Sequence, residues 1–186
     1  MISATDFRKG TKILHKGEPH VVLEFSHNKM GRGGALVRAK LRNLITGSQF
    51  EESFRSVEKF ENPQLEHKEM QFLYEQDGLY NFMDQDSYEQ IALNKESLED
   101  VLGYLKEQEI YQMLYFQERP IGVTAPLHMK LEVVETPPGV RGDTAQGAAN
   151  KPAKLETGIT IQVPLFVNEG DIIKVDTRTD EYIERV

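Results

Sequence analysis

Residues 27–35 have the sequence His27-Asn28-Lys29-Met30-Gly31-Arg32-Gly33-Gly34-Ala35 and separate two runs of alternating apolar and polar residues. One face of the first run carries Val21, Leu23 and Phe25, and one face of the second carries Val37, Ala39 and Leu41. Alternation with a period of two predicts two half-buried β-strands. Residues 27–35 are then a hairpin loop, longer than the roughly two to five residues of a simple hairpin.

Arg32 lies at the centre of this segment, between Gly31 and Gly33. An arginine side chain stays protonated, so it is a poor general base, but its planar donors suit phosphate and carbonyl oxygens. A glycine-flanked arginine on a hairpin tip therefore predicts positioning of a polyanion rather than proton transfer. From this stretch alone, a surface turn with a chance arginine is the alternative interpretation.

The composition is that of a globular protein, with 186 residues, 39% hydrophobic residues and 28% charged residues. The absence of cysteine excludes disulfides, thiolate nucleophiles and cysteine zinc sites, as expected for a reducing cytoplasm. We find no signal-peptide pattern and no apolar run near the roughly 20 residues that span a bilayer. We therefore expect a cytoplasmic protein without a membrane partner.

Charge is distributed unevenly along the chain, although the formal net charge is -8. Residues 1–63 carry 11 basic and 7 acidic side chains, residues 64–127 carry 4 and 13, and residues 128–186 carry 7 and 10. The first region is thus a basic module of net +4, and the second is strongly acidic. This asymmetry predicts a polyanionic partner that meets one end of the molecule.

Turn signals divide the chain into three β-rich regions with the same boundaries, 1–63, 64–127 and 128–186. The middle region has a hairpin signal at Asp77-Gly78, and Asn94 is placed to cap a short helix over residues 95–104. In the last region, residues 136–154 are rich in Gly, Pro and Ala and predict a long irregular loop. Residues 158–164 and 171–176 then predict a final pair of strands.

Several familiar site patterns are incomplete. Asp84 and Asp86 begin like a calcium loop, but Glu89 and Lys95 stand where glycine and glutamate are required. Residues 66–69 lack a second histidine at metal-ligand spacing, and residues 31–33 do not complete a dinucleotide fingerprint. The Arg-Gly-Asp tripeptide at residues 141–143 is interpreted as a coincidence. The residues therefore predict no catalytic group, no metal site and no cofactor.

Seven segments, in collinear order over nearly the whole chain, match the motifs of a known family: residues 29–35, 37–47, 79–84, 142–145, 154–158, 163–171 and 177–179. Together they resemble bacterial translation elongation factor P. The resemblance implies an all-β protein of three consecutive small β-barrels in an elongated L shape. The first barrel would be SH3-like or KOW-like, and the other two OB-like.

The resemblance also implies site residues. Arg32 would be the hairpin tip near the CCA end of the P-site tRNA and a candidate modification site. The supporting tip loop would be Lys29, Met30, Gly31, Gly33 and Gly34, and the loop near the E-site codon would be Gly142, Asp143, Thr144 and Ala145. Tyr182 and Arg185 match positions expected near the tRNA backbone of the anticodon arm.

The partners that the resemblance implies are the ribosome and the peptidyl-tRNA in the P site. The chain would be a monomer and not an enzyme, and it would relieve stalling at consecutive prolines by binding between the P and E sites. Arginine at position 32 excludes lysine-directed modification. Because some relatives with an arginine tip are glycosylated on the guanidinium, the resemblance implies an arginine glycosyltransferase as the candidate tip-modifying enzyme. Two alternatives stay open: a paralogous elongation-factor-P-like protein, and an OB-fold RNA-binding chaperone without a ribosomal role.

Overall fold

A computed structural model describes residues 1–30, 34–139 and 150–186. In these ranges the regular structure consists of sixteen β-strands and three short 3-10 helices. The prediction of an all-β chain is therefore confirmed. In the same ranges, no helix is long and apolar enough to cross a membrane.

The chain forms two compact units, one of Met1–His67 with Leu114–Gly122 and the other of Lys68–Met113 with Val123–Val186. The two predicted boundaries between the three regions, at residues 63 and 127, remain a prediction.

The first region forms a four-stranded antiparallel sheet in the order β2-β3-β4-β5, and a separate pair of short strands, β1 and β6. The strands are β1 (Ile2–Ser3), β2 (Lys12–His15), β3 (Glu18–Met30), β4 (Gly34–Asn43), β5 (Gln49–Arg55) and β6 (Lys59–Phe60). The sheet encloses an apolar core of Ala4, Phe7, Ile13, Val22, Val37, Ala39, Leu41, Phe54 and Phe60.

The face assignment from simple alternation is right for β4 and wrong for β3. Val37 and Leu41 are fully buried, as predicted. In β3, however, the register shifts between Val22 and Glu24, which is a β-bulge. Val22 therefore lies in the core, and Phe25 packs against that core. The alternation instead predicts that Phe25 shares a face with Val21 and Leu23.

The prediction of a nine-residue hairpin loop is also wrong. Strands β3 and β4 stay paired through Lys29–Ala35 and Met30–Gly34. Backbone hydrogen bonding thus extends the two strands into the segment that the glycines had suggested was a loop. Only residues 31–33 stand between the strands, and they lie outside the described residues.

The middle strands form a five-stranded sheet in the order β11-β10-β7-β8-β9. Their bounds are β7 (Leu65–Gln76), β8 (Leu79–Asp84), β9 (Gln90–Asn94), β10 (Ile110–Phe116) and β11 (Arg119–Thr124). The predicted helix over 95–104 is replaced by two 3-10 helices, Lys95–Leu98 and Leu102–Tyr104. Its predicted cap is correct, since the Asn94 side chain accepts a hydrogen bond from the Ser97 backbone N–H at 3.1 Å.

The last region is a closed barrel in the order β12-β13-β14-β16-β15. Its strands are β12 (His128–Glu135), β13 (Asn150–Leu155), β14 (Thr160–Pro164), β15 (Ile172–Asp176) and β16 (Glu181–Arg185). The predicted irregular loop over residues 136–154 is too long at its C-terminal end, because residues 150–154 belong to strand β13. The two predicted final strands are present as β14 and β15. They do not pair with each other, however, because β16 lies between them and pairs with both.

Candidate functional site

The hairpin of β3 and β4 is the element that carries the predicted tip. Cross-strand pairing is continuous from His20–Asn43 to Met30–Gly34, apart from the bulge. The backbones of Lys29, Met30 and Gly34 therefore belong to paired strands. The tip residues Gly31, Arg32 and Gly33 lie outside the described residues, so their predicted role stays a prediction.

Two basic residues of this hairpin, Arg38 and Lys40, lie near an acidic residue of β5, Glu51. Lys40 is paired in register with Glu51, and the Arg38 guanidinium donates to the Glu51 carboxylate at 2.5 Å. Both partners of the Arg38 pair are about half exposed, so the pair adds little to stability. Its effect is to hold the Arg38 side chain along the sheet, where its remaining donors stay accessible to a polyanion.

Two buried histidines support the base of the same sheet. The His15 ring lies 5.4 Å from the Phe54 ring in an edge contact, and its Nε2 is 3.0 Å from a Glu52 carboxylate oxygen. The His20 Nδ1–H donates to the Glu18 carbonyl at 2.9 Å. Among the described residues, no group of three His, Cys, Asp or Glu side chains is placed to hold a metal ion. We interpret these histidines as structural.

A cavity of about 380 Å³ lies in the first compact unit. Its lining includes the carboxylates of Glu61, Glu66 and Glu118 and the rings of Tyr115 and Phe116. Three carboxylates give the cavity a negative potential, which disfavours phosphate groups. The cavity therefore does not extend the basic surface of the hairpin.

The predicted codon loop, Gly142, Asp143, Thr144 and Ala145, also lies outside the described residues. The chain on either side of residues 140–149 is described and firmly held. The Nζ of Lys151, which is only 5% exposed, donates to the Pro137 carbonyl at 2.7 Å. Gly139 lies so close to Leu165 that an added Cβ would be 2.6 Å from its carbonyl oxygen.

Tyr182 and Arg185 are brought together with a residue that the sequence did not identify, Phe166. The Tyr182 and Phe166 rings meet nearly edge to face, with centroids 6.3 Å apart at 78°. The Arg185 Cζ lies 5.6 Å from the centroid of the Phe166 ring. Phe166 could have been identified only if strand β16 had been predicted, because that strand brings residues 182 and 185 close to residue 166.

A polar network connects the segment around Tyr104 to the last barrel, within the second compact unit. The Tyr104 hydroxyl donates to the Asp180 carboxylate, in the turn that leads to Tyr182. Burial, together with this hydrogen bond, raises the pKa of Tyr104 well above its ordinary value. The Tyr111 hydroxyl donates to the Tyr104 carbonyl at 2.6 Å, and burial raises the pKa of Tyr111 to about 12.

Glu156 anchors the other part of this network. Its carboxylate accepts from Lys106 Nζ at 2.9 Å and from the Glu132 backbone N–H at 2.9 Å. Partial burial disfavours the charged carboxylate, but these hydrogen bonds outweigh it and lower the pKa of Glu156. Glu156 therefore ties Lys106 to the last barrel, while the Tyr104 hydrogen bond to Asp180 holds the turn that precedes Tyr182.

Three family profiles match the chain in sequence order. They are the elongation factor P KOW-like domain at residues 3–60, the elongation factor P OB domain at residues 65–123 and the elongation factor P C-terminal domain at residues 129–185. The chain belongs to the elongation factor P family. This membership identifies a translation factor and implies a ribosome-associated role, and it confirms the predicted KOW-like and OB domains.

Full-length relatives agree with this assignment. The chain is 48% identical over 186 residues to elongation factor P of Thermodesulfovibrio yellowstonii, which covers all of this chain and 99% of the relative. It is 50% identical to elongation factor P of Thermoanaerobacter sp., with both proteins covered completely. Translation initiation factor 5A from Methanococcus jannaschii shares the fold, with a TM-score of 0.55 over 67% of this chain and 93% of that structure, at 19% identity.

Proposed function

We propose that this chain binds the ribosome between the P and E sites, contacts the peptidyl-tRNA and relieves stalling at consecutive prolines. The proposal includes a cytoplasmic monomer that is not itself an enzyme. The observation that supports it best is identity of about 50% to elongation factor P over the whole chain, together with an arginine between the paired strands of a long hairpin.

In this proposal Arg32 acts through hydrogen bonding and charge. A guanidinium near the CCA end would donate to phosphate or carbonyl oxygens and restrict the motion of the peptidyl-tRNA. The ribosome would carry out peptide-bond formation. Correct orientation of reacting groups supplies several kcal/mol, up to roughly 7–11 in favourable cases, so positioning alone is a sufficient source of rate acceleration.

The remaining predicted contacts follow the three regions of the chain. Lys29, Met30, Gly31, Gly33 and Gly34 would form the support for Arg32. The loop Gly142–Ala145 would lie near the E-site codon, held by the fixed flanks described above. Tyr182 and Arg185 would contact the tRNA.

Replacement of Arg32 by alanine tests the central claim. We expect ribosome binding to persist, because one tip contact is lost among many, and rescue of a polyproline reporter to disappear. Arg119→Ala, at an exposed arginine far along the chain, is the matched control and should rescue normally. Full rescue by Arg32→Ala would refute the assignment of the tip.

Two further measurements address the partners. Intact and peptide mass spectrometry of protein from its native host would detect a mass increment on Arg32, as expected if an arginine glycosyltransferase modifies the tip. Co-sedimentation separates the proposal from the RNA-chaperone alternative. Selective pelleting with ribosomes supports the factor, whereas equal binding to free RNA supports the chaperone.

A further inference from the structure

The Phe166 side chain is exposed although its backbone is held rigidly. The residue lies in the connection between β14 and β15 and is 56% exposed. The next residue, Val167, is fully buried, and its backbone N–H donates to the Pro164 carbonyl at 3.1 Å. The Asn168 side-chain amide donates to the Phe166 carbonyl at 3.2 Å. The ring is thus presented to solvent by a fixed segment of chain.

Two other side chains order the ring. Tyr182 packs against the core of the barrel and contacts the Phe166 ring with its edge. Arg185, with 49% of its side chain exposed, extends its guanidinium over the ring. Single exposed apolar residues are common on protein surfaces. An exposed ring supported by a tyrosine and covered in part by a guanidinium is a more specific arrangement, which we call the Phe166 cluster (Phe166, Tyr182 and Arg185).

The charge of Arg185 is shared with a neighbouring carboxylate. Arg185 Nη1 lies 3.5 Å from Asp171 Oδ2, and this oxygen also accepts the Asn168 backbone N–H at 2.8 Å. A carboxylate held at this position weakens the attraction of the guanidinium for a phosphate. It does not remove the flat surface that the guanidinium and the ring offer together. The cluster is therefore better suited to stacking than to phosphate binding.

We propose that the Phe166 cluster is a stacking platform for an unpaired base of RNA in the ribosomal complex. Aromatic rings and arginine planes are the groups that bind splayed RNA bases. Because the chain belongs to a ribosome-associated family, we take RNA, and not a protein, as the partner of this surface. The inference rests on the proposed function and deepens it, because it adds Phe166 and changes the expected role of Arg185 from a backbone contact to a stacking contact.

The test measures the dissociation constant of the full-length chain for ribosomes that carry peptidyl-tRNA in the P site, at several salt concentrations. Phe166→Ala should weaken binding about tenfold or more, as expected for one lost stacked base, with an unchanged salt slope. Phe166→Tyr keeps a ring and should bind like the wild type. Tyr88→Ala, which removes a ring that is 70% exposed in the middle region, should have no effect.

Arg185 distinguishes stacking from phosphate binding. Arg185→Lys keeps the positive charge but loses the planar group, so we expect it to weaken binding as much as Arg185→Ala does. Wild-type binding by Arg185→Lys, with a reduced salt slope for Arg185→Ala, would show a phosphate contact and overturn the proposal.

The remaining outcomes are equally decisive. Wild-type affinity of Phe166→Ala would overturn the platform and leave the proposed function intact. Weakened binding with an unchanged chemical footprint on the RNA bases would show that the ring docks on protein, which also overturns it. Loss of one base protection with Phe166→Ala supports the proposal. A wild-type chain that does not bind ribosomes would refute the proposed function and the platform together.

Discussion

The hydroxyl group of Tyr111 bridges two backbone groups in the second compact unit. It donates to the Tyr104 carbonyl at 2.6 Å and accepts from the Lys106 backbone N–H at 2.9 Å. The residue is fully buried, and its ring meets Phe82 edge to face at 6.0 Å. Tyr111→Phe removes one oxygen atom and keeps this ring packing, so it isolates the contribution of the two hydrogen bonds.

The expected loss of stability follows from these two bonds. Leaving a buried donor or acceptor without its partner costs about 1–3 kcal/mol. Tyr111→Phe leaves one acceptor, the Tyr104 carbonyl, and one donor, the Lys106 N–H, without their partner. Burial of the more apolar phenylalanine side chain recovers part of this lost free energy. We therefore expect the free energy of unfolding to fall by about 2–4 kcal/mol.

Urea unfolding followed by circular dichroism measures this change for the full-length chain. Tyr74→Phe is the matched control, since Tyr74 is 42% exposed and should change the free energy of unfolding by less than about 0.5 kcal/mol. Suppose that Tyr111→Phe lowers the free energy of unfolding by less than about 0.5 kcal/mol and leaves its slope against urea concentration unchanged. This result would refute the two hydrogen bonds assigned to the Tyr111 hydroxyl.

The raised pKa of Tyr111 also makes the free energy of unfolding depend on pH. The pKa of Tyr111 is raised to about 12 in the folded chain, whereas an unfolded tyrosine titrates near 10. This contribution to stability is present below pH 10 and is lost as the pH rises toward 12, because the unfolded state ionises first. The wild type should therefore lose more stability than Tyr111→Phe between pH 10 and 12.

Three other substitutions test separate contacts. Glu156→Gln should reduce the acid sensitivity of unfolding between pH 7 and 3, because the lowered pKa of Glu156 stabilises the fold above its unfolded pKa and this contribution is lost as the pH falls through the folded value. Gly139→Ala should lower the free energy of urea unfolding by about 1–3 kcal/mol, because the new Cβ would clash with the Leu165 carbonyl. Phe54→Ala should lower it by about 3–5 kcal/mol, because it empties a buried aromatic site against Phe7.

Controls and contrary outcomes are available for each. Gly122→Ala places a Cβ where no atom lies within 4 Å and should leave stability nearly unchanged. Equal stability of Gly139→Ala and the wild type would contradict the close approach to Leu165. An unaltered acid profile for Glu156→Gln would contradict the role of its carboxylate, and a loss under about 1 kcal/mol for Phe54→Ala would contradict its place in the core.

Local patterns in the sequence determined much of the secondary structure and the class of the fold. The alternation of Val37, Ala39 and Leu41 predicted a buried strand face correctly, and Asn94 was correctly predicted as a cap. The family motifs predicted KOW-like and OB domains. These features depend on residues that are near one another in the chain, so a sequence can display them directly.

The errors came from interactions between distant residues. The bulge at Val22, the extension of β3 and β4 to Met30 and Gly34, and strand β13 all depend on the register of a partner strand. Strand β16 was missed because its residues are mostly exposed and lack a buried alternating face. The backbone of β16 pairs with β14 on one edge and with β15 on the other. The hydrogen bonds that close the barrel, and not a local sequence pattern, therefore make these residues a strand.

The candidate site divides in the same way. Arg32 was identified from its glycine neighbours and its place between two strands, which the sequence shows by itself. Phe166 was not, because its significance depends on Tyr182 and Arg185, which follow it by 16 and 19 residues in the chain. Only the tertiary structure brings these side chains together, since the pairing of β16 in the barrel determines which residues can reach the Phe166 ring.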